Sequence, residues 1–221
     1  MISSLEQPRS ASRLAPMRQI VLATRNAKKI TELQRILIAA GLTDVELAGP
    51  ELYAALPEIP ETGLTFAENA LIKARAVAEA TGLPAVADDS GLCVDALNGM
   101  PGILSARWSG RFGDLASGPG RDVSNLQLVL DQVADVPDEA LGANFTCAAA
   151  LVTPDGTEHV VEGVVTGRLI RAPRGDGGFG YDPIFVPEGE TRTTSELSPE
   201  EKDAISHRGR AFRALVPLLK G

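Results

Sequence analysis

From Gln19 to Thr24 the sequence QIVLAT is a short apolar run. From Ile30 the apolar positions shift to helical spacing, at Leu33, Ile36, Leu37 and Ala40, until Gly41 supplies a stop. A strand, a turn and a helix start are therefore predicted, followed by a second strand over Val45–Ala48. A Pro-rich loop then leads to Thr65 and Glu68, a capping box ahead of a buried stripe of Phe66, Ala70, Ala74, Val77 and Ala78 that Gly82 and Pro84 end. Lys73 falls within this helix and reads as an exposed lysine. Ala85–Ala87 is the next strand, and the order strand, helix, strand implies a right-handed crossover with parallel pairing.

Beyond this strand the pattern changes. Trp108–Arg121, WSGRFGDLASGPGR, is Gly-rich and aperiodic and reads as a mobile surface loop, after which Asp122 caps a helix with Leu126, Val129, Leu130 and Val133 on its apolar face. Asn144–Thr153 and Thr157–Thr166 flank the turn Pro154-Asp155-Gly156 and form a hairpin. A parallel unit joined to an antiparallel hairpin makes the expected fold α/β with a mixed sheet. Ser198-Pro199-Glu200-Glu201 opens a helix carrying Lys202, with His207 and Arg208 near its end, and Phe212, Leu215 and Leu218 mark a final amphipathic segment.

Several of these junctions carry chemistry. Asp88 and Asp89, followed by Ser90 and Gly91, sit where the apolar run from Ala85 stops, and the Gly, Asn and Pro that follow read as a long ordered loop. That places them at a strand's carboxyl end, the edge of an open α/β sheet where ligands bind. Adjacent carboxylates repel unless water, a cation or a proton separates them, and such hard oxygen ligands suit Mg²⁺; an ordinary Asp turn is the alternative. In TRNAKK, Thr24, Asn26 and free helix N–H groups lie beside Lys28 and Lys29, a combination suited to phosphate, although Thr24 or Asn26 could simply cap the helix. Gly175, Gly177 and Gly180 spell G-x-G-x-x-G, but the motif runs into Tyr181-Asp182-Pro183 where no helix can start, which argues against a dinucleotide fingerprint. Phe179 and Tyr181 in that loop could stack on a base or pin the loop to the core.

Composition narrows the partners. The chain has 221 residues, is 44% hydrophobic and carries a net charge of −8 with no basic block. That disfavours duplex nucleic acid and membrane surfaces, and no apolar run approaches a membrane span. Cys93 and Cys147 lack metal or redox spacing and read as reduced, buried thiols in a cytoplasmic protein. Residues 1–17 have no secretory apolar centre and read as a disordered tail, with 18–221 as one domain and Met17 as an alternative start.

TRNAKKITEL, ETGLTFAENALIKA, ADDSGLCVDAL, PGILSAR, GGFGYDPIF and ELSPEEKDAISHRGRA stand in one order that resembles the inosine/xanthosine triphosphate pyrophosphatases, over Arg18 to Leu219. The resemblance implies an elongated mixed sheet flanked by helices, two lobes with the site in the cleft between them, Mg²⁺ as cofactor and a homodimer. It also implies hydrolysis of ITP, dITP and XTP to the monophosphate and pyrophosphate. By the same resemblance, Thr24, Arg25, Asn26, Ala27, Lys28 and Lys29 hold the triphosphate, and Glu61 and Asp89 bind Mg²⁺, with Asp89 also the proton acceptor. Ser90 and Lys202 contact substrate; Phe179, Gly180, Tyr181 and Asp182 line the base site; His207 with Arg208 reads the purine's 6-oxo edge. Arg25 and Lys28 stand where the family often has small residues, the loop after Trp108 is longer than in many members, and the tail is extra. Two other readings are less favoured: a nucleotide-sensing protein without turnover has no need of both Glu61 and Asp89, and a dinucleotide-dependent oxidoreductase needs a helix after Gly180.

Overall fold

The computed structural model describes residues 18–42, 45–110 and 119–220. The expected tail and residues 111–118 of the expected loop lie outside the described residues. A six-stranded sheet has the order β2-β1-β3-β4-β5-β6, formed by β1 (Arg18–Leu22), β2 (Val45–Ala48), β3 (Ala85–Val94), β4 (Gly142–Val152), β5 (Glu158–Leu169) and β6 (Phe185–Pro187). β1 pairs in parallel with β2 and β3, while β3, β4, β5 and β6 pair antiparallel in succession. The mixed sheet read from the sequence is what forms.

Local signals set the helices. Asn26 caps α1 (Ala27–Ala39) by accepting from the Lys28 and Lys29 N–H groups, and Gly41 takes the left-handed conformation just beyond it, at φ 79°. The Thr65/Glu68 box opens α2 (Phe66–Thr81), and Gly82 closes it at φ 66°. α3 (Pro119–Gln132) begins ahead of Asp122, which lies in its first turn instead of capping it. Ser198 caps α4 (Pro199–Ile205), and Ser206 breaks the chain so that α5 (His207–Lys220) starts afresh. His207 and Arg208 therefore open a helix; the sequence reading had placed them near the end of one.

Side chains alternate across each strand, so β3 feeds two cores. Val86 packs with Leu22, Leu33, Phe212 and Leu215 under α1 and α5. Ala85 and Ala87 pack with Ala70, Ala74 and Val77 of α2 on the other face. A third cluster, with Leu92, Phe145, Val129 and Phe185, fills the far end of the sheet.

β3 corrects one expectation. It does not stop at the acids but runs on through ten residues paired with β4, with Asp88 opposite Ala149 and Asp89 opposite Ala148. Gly91 is no loop signal here: a Cβ at that position would lie 2.3 Å from the Gly102 carbonyl oxygen and 2.4 Å from Ser105 Oγ, so the glycine lets the 102–107 turn close on the strand. β1 ends at Leu22, and its last pairing with β3 is Leu22 with Val86. The acids thus sit where one edge of β3 has lost its neighbour.

Gly163 seats α5 on β5. A Cβ there would meet the His207 carbonyl oxygen at 2.2 Å and the Ala211 nitrogen at 2.5 Å. Gly163→Ala should therefore displace the start of α5 and lower stability by about 1–3 kcal/mol. An unchanged urea midpoint would show that the helix can slide without cost.

Candidate active site

Because they are consecutive in a strand, Asp88 and Asp89 point to opposite faces, and each meets its own cations. Their direct hydrogen-bond partners differ, although Lys29 and Lys73 each act electrostatically on both carboxylates. On the α1/α5 face, Lys29 Nζ donates to Asp88 Oδ2 at 2.9 Å and Arg208 Nε donates at 3.2 Å. Arg208 also donates from Nη1 to Glu32 Oε2 at 2.6 Å and from Nη2 to Ser90 Oγ at 2.8 Å. Three of its five N–H groups are thereby engaged. On the α2 face, Asn69 Nδ2 donates to Asp89 Oδ2 at 3.1 Å, and Lys73 Nζ lies 3.5 Å from Asp89 Oδ1 and 2.7 Å from Glu61 Oε1. Arg107 Nη1 donates to Glu61 Oε2 at 3.0 Å. Asn69 Oδ1 accepts the Gly63 N–H at 2.8 Å, which fixes the loop that carries Glu61.

Charge states follow from these contacts. Burial opposes ionisation of Asp88, but Lys29, Arg208 and Lys73 outweigh it and hold the carboxyl well below the usual range. Burial, reinforced by Glu61, holds Asp89 above its ordinary value despite Lys73. Burial opposes the charge of Lys73 too, but Asp89, Asp88 and Glu61 prevail and raise it. The pair in sequence is therefore one firm carboxylate and one more readily protonated.

The glycine-rich loop closes over the same cleft. Asp182 accepts from the Phe179 N–H at 2.8 Å, Thr194 Oγ1 at 2.8 Å and Lys202 Nζ at 2.7 Å. The Tyr181 hydroxyl donates to the Ser105 carbonyl at 2.8 Å. These two residues pin the loop, whereas Phe179 stays half-buried with Lys202, Arg208 and Lys28 at 5.1, 5.6 and 5.7 Å from its ring centroid. The segment then enters a short 3-10 turn and β6, so no dinucleotide-binding helix follows the glycines. His207 stacks on Phe145 at 4.8 Å and 12°.

Two cavities meet at Asn26, Lys29, Glu61 and Ala106. The first, about 160 Å³, brings Asp89 and Ser90 together with Phe179, Lys202, His207 and Arg208. The second, about 560 Å³, holds Thr24, Arg25, Lys73 and Arg107. Arg25 leans back onto the Tyr53 ring and the Leu56 carbonyl, Asn26 caps α1, and Ala27 and Lys28 stand exposed at its start. Lys73, an exposed lysine on the sequence reading, is partly buried between two carboxylates, with 13% of its side chain exposed. Its signal was the i, i+4 pair with Asn69 beside the alanine stripe. Glu32 and Phe145 were also missed, and nothing local in the sequence marks them.

Glu61 and Asp89 converge on one ammonium group, which stands where two carboxylates could hold a dication. Among the described residues no group of three or more His, Cys, Asp or Glu gathers as a metal site. The donor set still fits Mg²⁺, which takes one or two carboxylates and fills its shell with water and phosphate oxygens.

A family model described as the Ham1 family matches residues 20–218. The chain belongs to the Ham1 family. It is 64% identical over 204 residues to a dITP/XTP pyrophosphatase of Streptomyces coelicolor, covering 92% of this chain and 98% of the relative. Among solved structures it resembles the Mycobacterium abscessus nucleoside-triphosphatase / dITP/XTP pyrophosphatase, with 55% identity, TM-score 0.69 and coverage of 91% and 99% of the two chains. A HAM1 protein of Coxiella burnetii matches at 41% identity and TM-score 0.79, over 92% and 99%. These Ham1 structures share the helix-flanked mixed sheet described above.

Burial, then Arg208 and Lys202, hold His207 well below the ordinary imidazole value. The unfolded chain takes up a proton below pH about 6.5 that the folded chain refuses, so stability should fall as pH drops through that value. His207→Gln should flatten the decline in urea midpoints over this range. An unchanged slope would place the proton uptake elsewhere.

Proposed function

We propose that this Ham1-family chain is a hydrolase of phosphoric anhydrides that converts ITP, dITP and XTP to the monophosphate and pyrophosphate with Mg²⁺. The observation that carries the reading is the convergence of Glu61, Asp89 and Lys73 at the junction of a base-sized cavity and a cation-lined one. The names of the relatives support the reaction. Residues 18–221 are read as one catalytic domain, and a homodimer follows from the resemblance. Among the described residues no helix is long and apolar enough to cross a membrane. Cys93 and Cys147 are free, in keeping with a reducing cytoplasmic setting.

Water attacks the α-phosphorus as the bond to the leaving pyrophosphate breaks, and Asp89 Oδ1 takes the water's proton while Asn69 holds Oδ2. Glu61 and Asp89 would hold the Mg²⁺, whose charge would offset that on the phosphate oxygens. Lys29 and the N–H groups at the start of α1 suit the triphosphate. Phe179 offers a stacking face, and neutral His207 with the two remaining N–H groups of Arg208 offers donors to a 6-oxo group. Adenine's 6-amino group would meet donor with donor, which disfavours ATP.

Asp89→Asn should lower pyrophosphate release from ITP by about 10²–10⁴-fold at saturating Mg²⁺ while leaving the thermal midpoint near wild type. Assayed across ITP, XTP, GTP and ATP with and without Mg²⁺, near-normal turnover in this variant would remove Asp89 as the proton acceptor. In the same panel, joint replacement of His207 and Arg208 by Ala should cut kcat/KM for ITP and XTP about ten- to a hundredfold more than for ATP. Lys29→Ala should weaken all four substrates alike. If the His207/Arg208 variant instead loses activity uniformly, these residues hold structure or phosphate and do not read the base.

A further inference from the structure

Glu61 is clasped from both sides, by Lys73 at 2.7 Å and by Arg107 at 3.0 Å. The two cations differ in what else holds them. Lys73 is also tied to Asp89 and deeply set, whereas 41% of the Arg107 side chain is exposed. Arg107 ends the short turn Gly102–Arg107. That turn is bolted down through Ser105, whose Oγ accepts the Leu92 N–H at 3.0 Å and whose carbonyl accepts the Tyr181 hydroxyl at 2.8 Å. The backbone is thus fixed, while the guanidinium is partly exposed and bonded to Glu61.

The guanidinium stands at a boundary between the two cavities. Ala106, its neighbour in sequence, lines both, and Arg107 itself lines the larger one. The walls of that larger cavity carry Arg25, Lys29, Lys73, Arg107 and Arg121 against Glu58 and Glu61, so 5 − 2 = 3 excess cations on a chain whose net charge is −8. Of these, Arg25 donates to the Tyr53 and Leu56 carbonyls and Lys29 to Asp88. Arg107 is bonded to Glu61, the carboxylate that a dication would claim.

We infer that Arg107 is a further phosphate-binding residue, held by Glu61 until a divalent cation takes that carboxylate and then handed to the pyrophosphate end of the substrate. The inference rests on the proposed function. A partly exposed ion pair is weak enough to exchange partners readily. A guanidinium fork matches a doubly charged phosphate better than it matches a single carboxylate oxygen. Arg107 would therefore compete with the metal before substrate binds and assist the phosphates afterwards, two effects of opposite sign.

Arg107→Gln separates them. Titrated with Mn²⁺ alone and followed by electron paramagnetic resonance, the variant should bind the ion about two- to fivefold more tightly than wild type. Titrated calorimetrically with pyrophosphate at saturating Mg²⁺, it should bind about tenfold more weakly. Arg107→Lys, which keeps the charge without the fork, should leave Mn²⁺ affinity near wild type and lie between the two for pyrophosphate. If both affinities of Arg107→Gln fall together, or neither moves, Arg107 is a structural partner of Glu61 and the inference is overturned. Mn²⁺ affinity that ignores Glu61→Gln would instead sink the metal assignment itself.

Discussion

Pairing of β3 with β4 for eight residues beyond the last contact of β3 with β1 is the constraint from which the site follows. It carries two carboxylates into the sheet on a rigid element, with hydrogen bonds to β4 along one edge and, at the acids themselves, no β1 neighbour along the other. The strand's period of two then sends them to opposite faces. An unpaired buried carboxylate is too costly to persist ionised, so each face has to supply its own compensation: Lys29 and Arg208 for Asp88, Asn69 and Lys73 for Asp89. The helices α1, α2 and α5 are placed by their apolar stripes, but the polar residue next to each stripe is what meets the acids.

The α1/α5 side holds a compact ionic group in which Glu32, Asp88 and Asp182 face Lys29, Lys202 and Arg208. Such a group is weak evidence for stability, since buried pairs roughly break even against well-packed apolar residues. Loss of one member, by contrast, costs about 3–5 kcal/mol by leaving its partner uncompensated. What the group provides is fixed direction. The three cations are held in place by their ion pairs with Glu32, Asp88 and Asp182, and Glu32 Oε1 and Asp88 Oδ1 are buried without a hydrogen-bond partner among the described residues. Donors aligned before substrate arrives need no reorganisation when it does.

Much of this is legible in the sequence. Asn26, the two capping boxes, the left-handed glycines and the Pro154-Asp155-Gly156 turn all act through neighbours a few residues away, and the helix starts, glycine stops and hairpin they mark formed as read. Misreadings arose where a residue answers to a distant one. Gly91 looked like a loop because its partner, the Gly102 carbonyl, approaches through tertiary packing. Lys73 looked exposed because Glu61 and Asp89 reach it from a loop and a strand. The break at Ser206, whose backbone is extended at ψ 155°, separates two helical patterns that run together in sequence, and the second helix then packs closely on Gly163. The motifs brought Phe179, Tyr181 and Asp182 to one loop without showing that the last two hold it in place and leave the first open to a ligand.

On the proposed reading, the division of labour across β3 bears on how selectivity reaches the chemical step. His207 and Arg208 stand on the Asp88 side, Glu61 and Lys73 on the Asp89 side, so a bound nucleotide has to straddle the strand at the edge that β1 leaves uncovered. Asp88 and Asp89 are one residue apart, a rise of about 3.3 Å, and their backbone is locked by β4. A base seated against Arg208 is thereby referred through a rigid strand to the α-phosphorus beside Asp89. A base that fails to seat leaves the phosphorus free to wander, and misplacement on the scale of an ångström is enough to cost about a hundredfold in rate. Energy gained at the base would then appear mainly in turnover, with less of it in ground-state affinity, as expected when remote contacts position the reacting atoms.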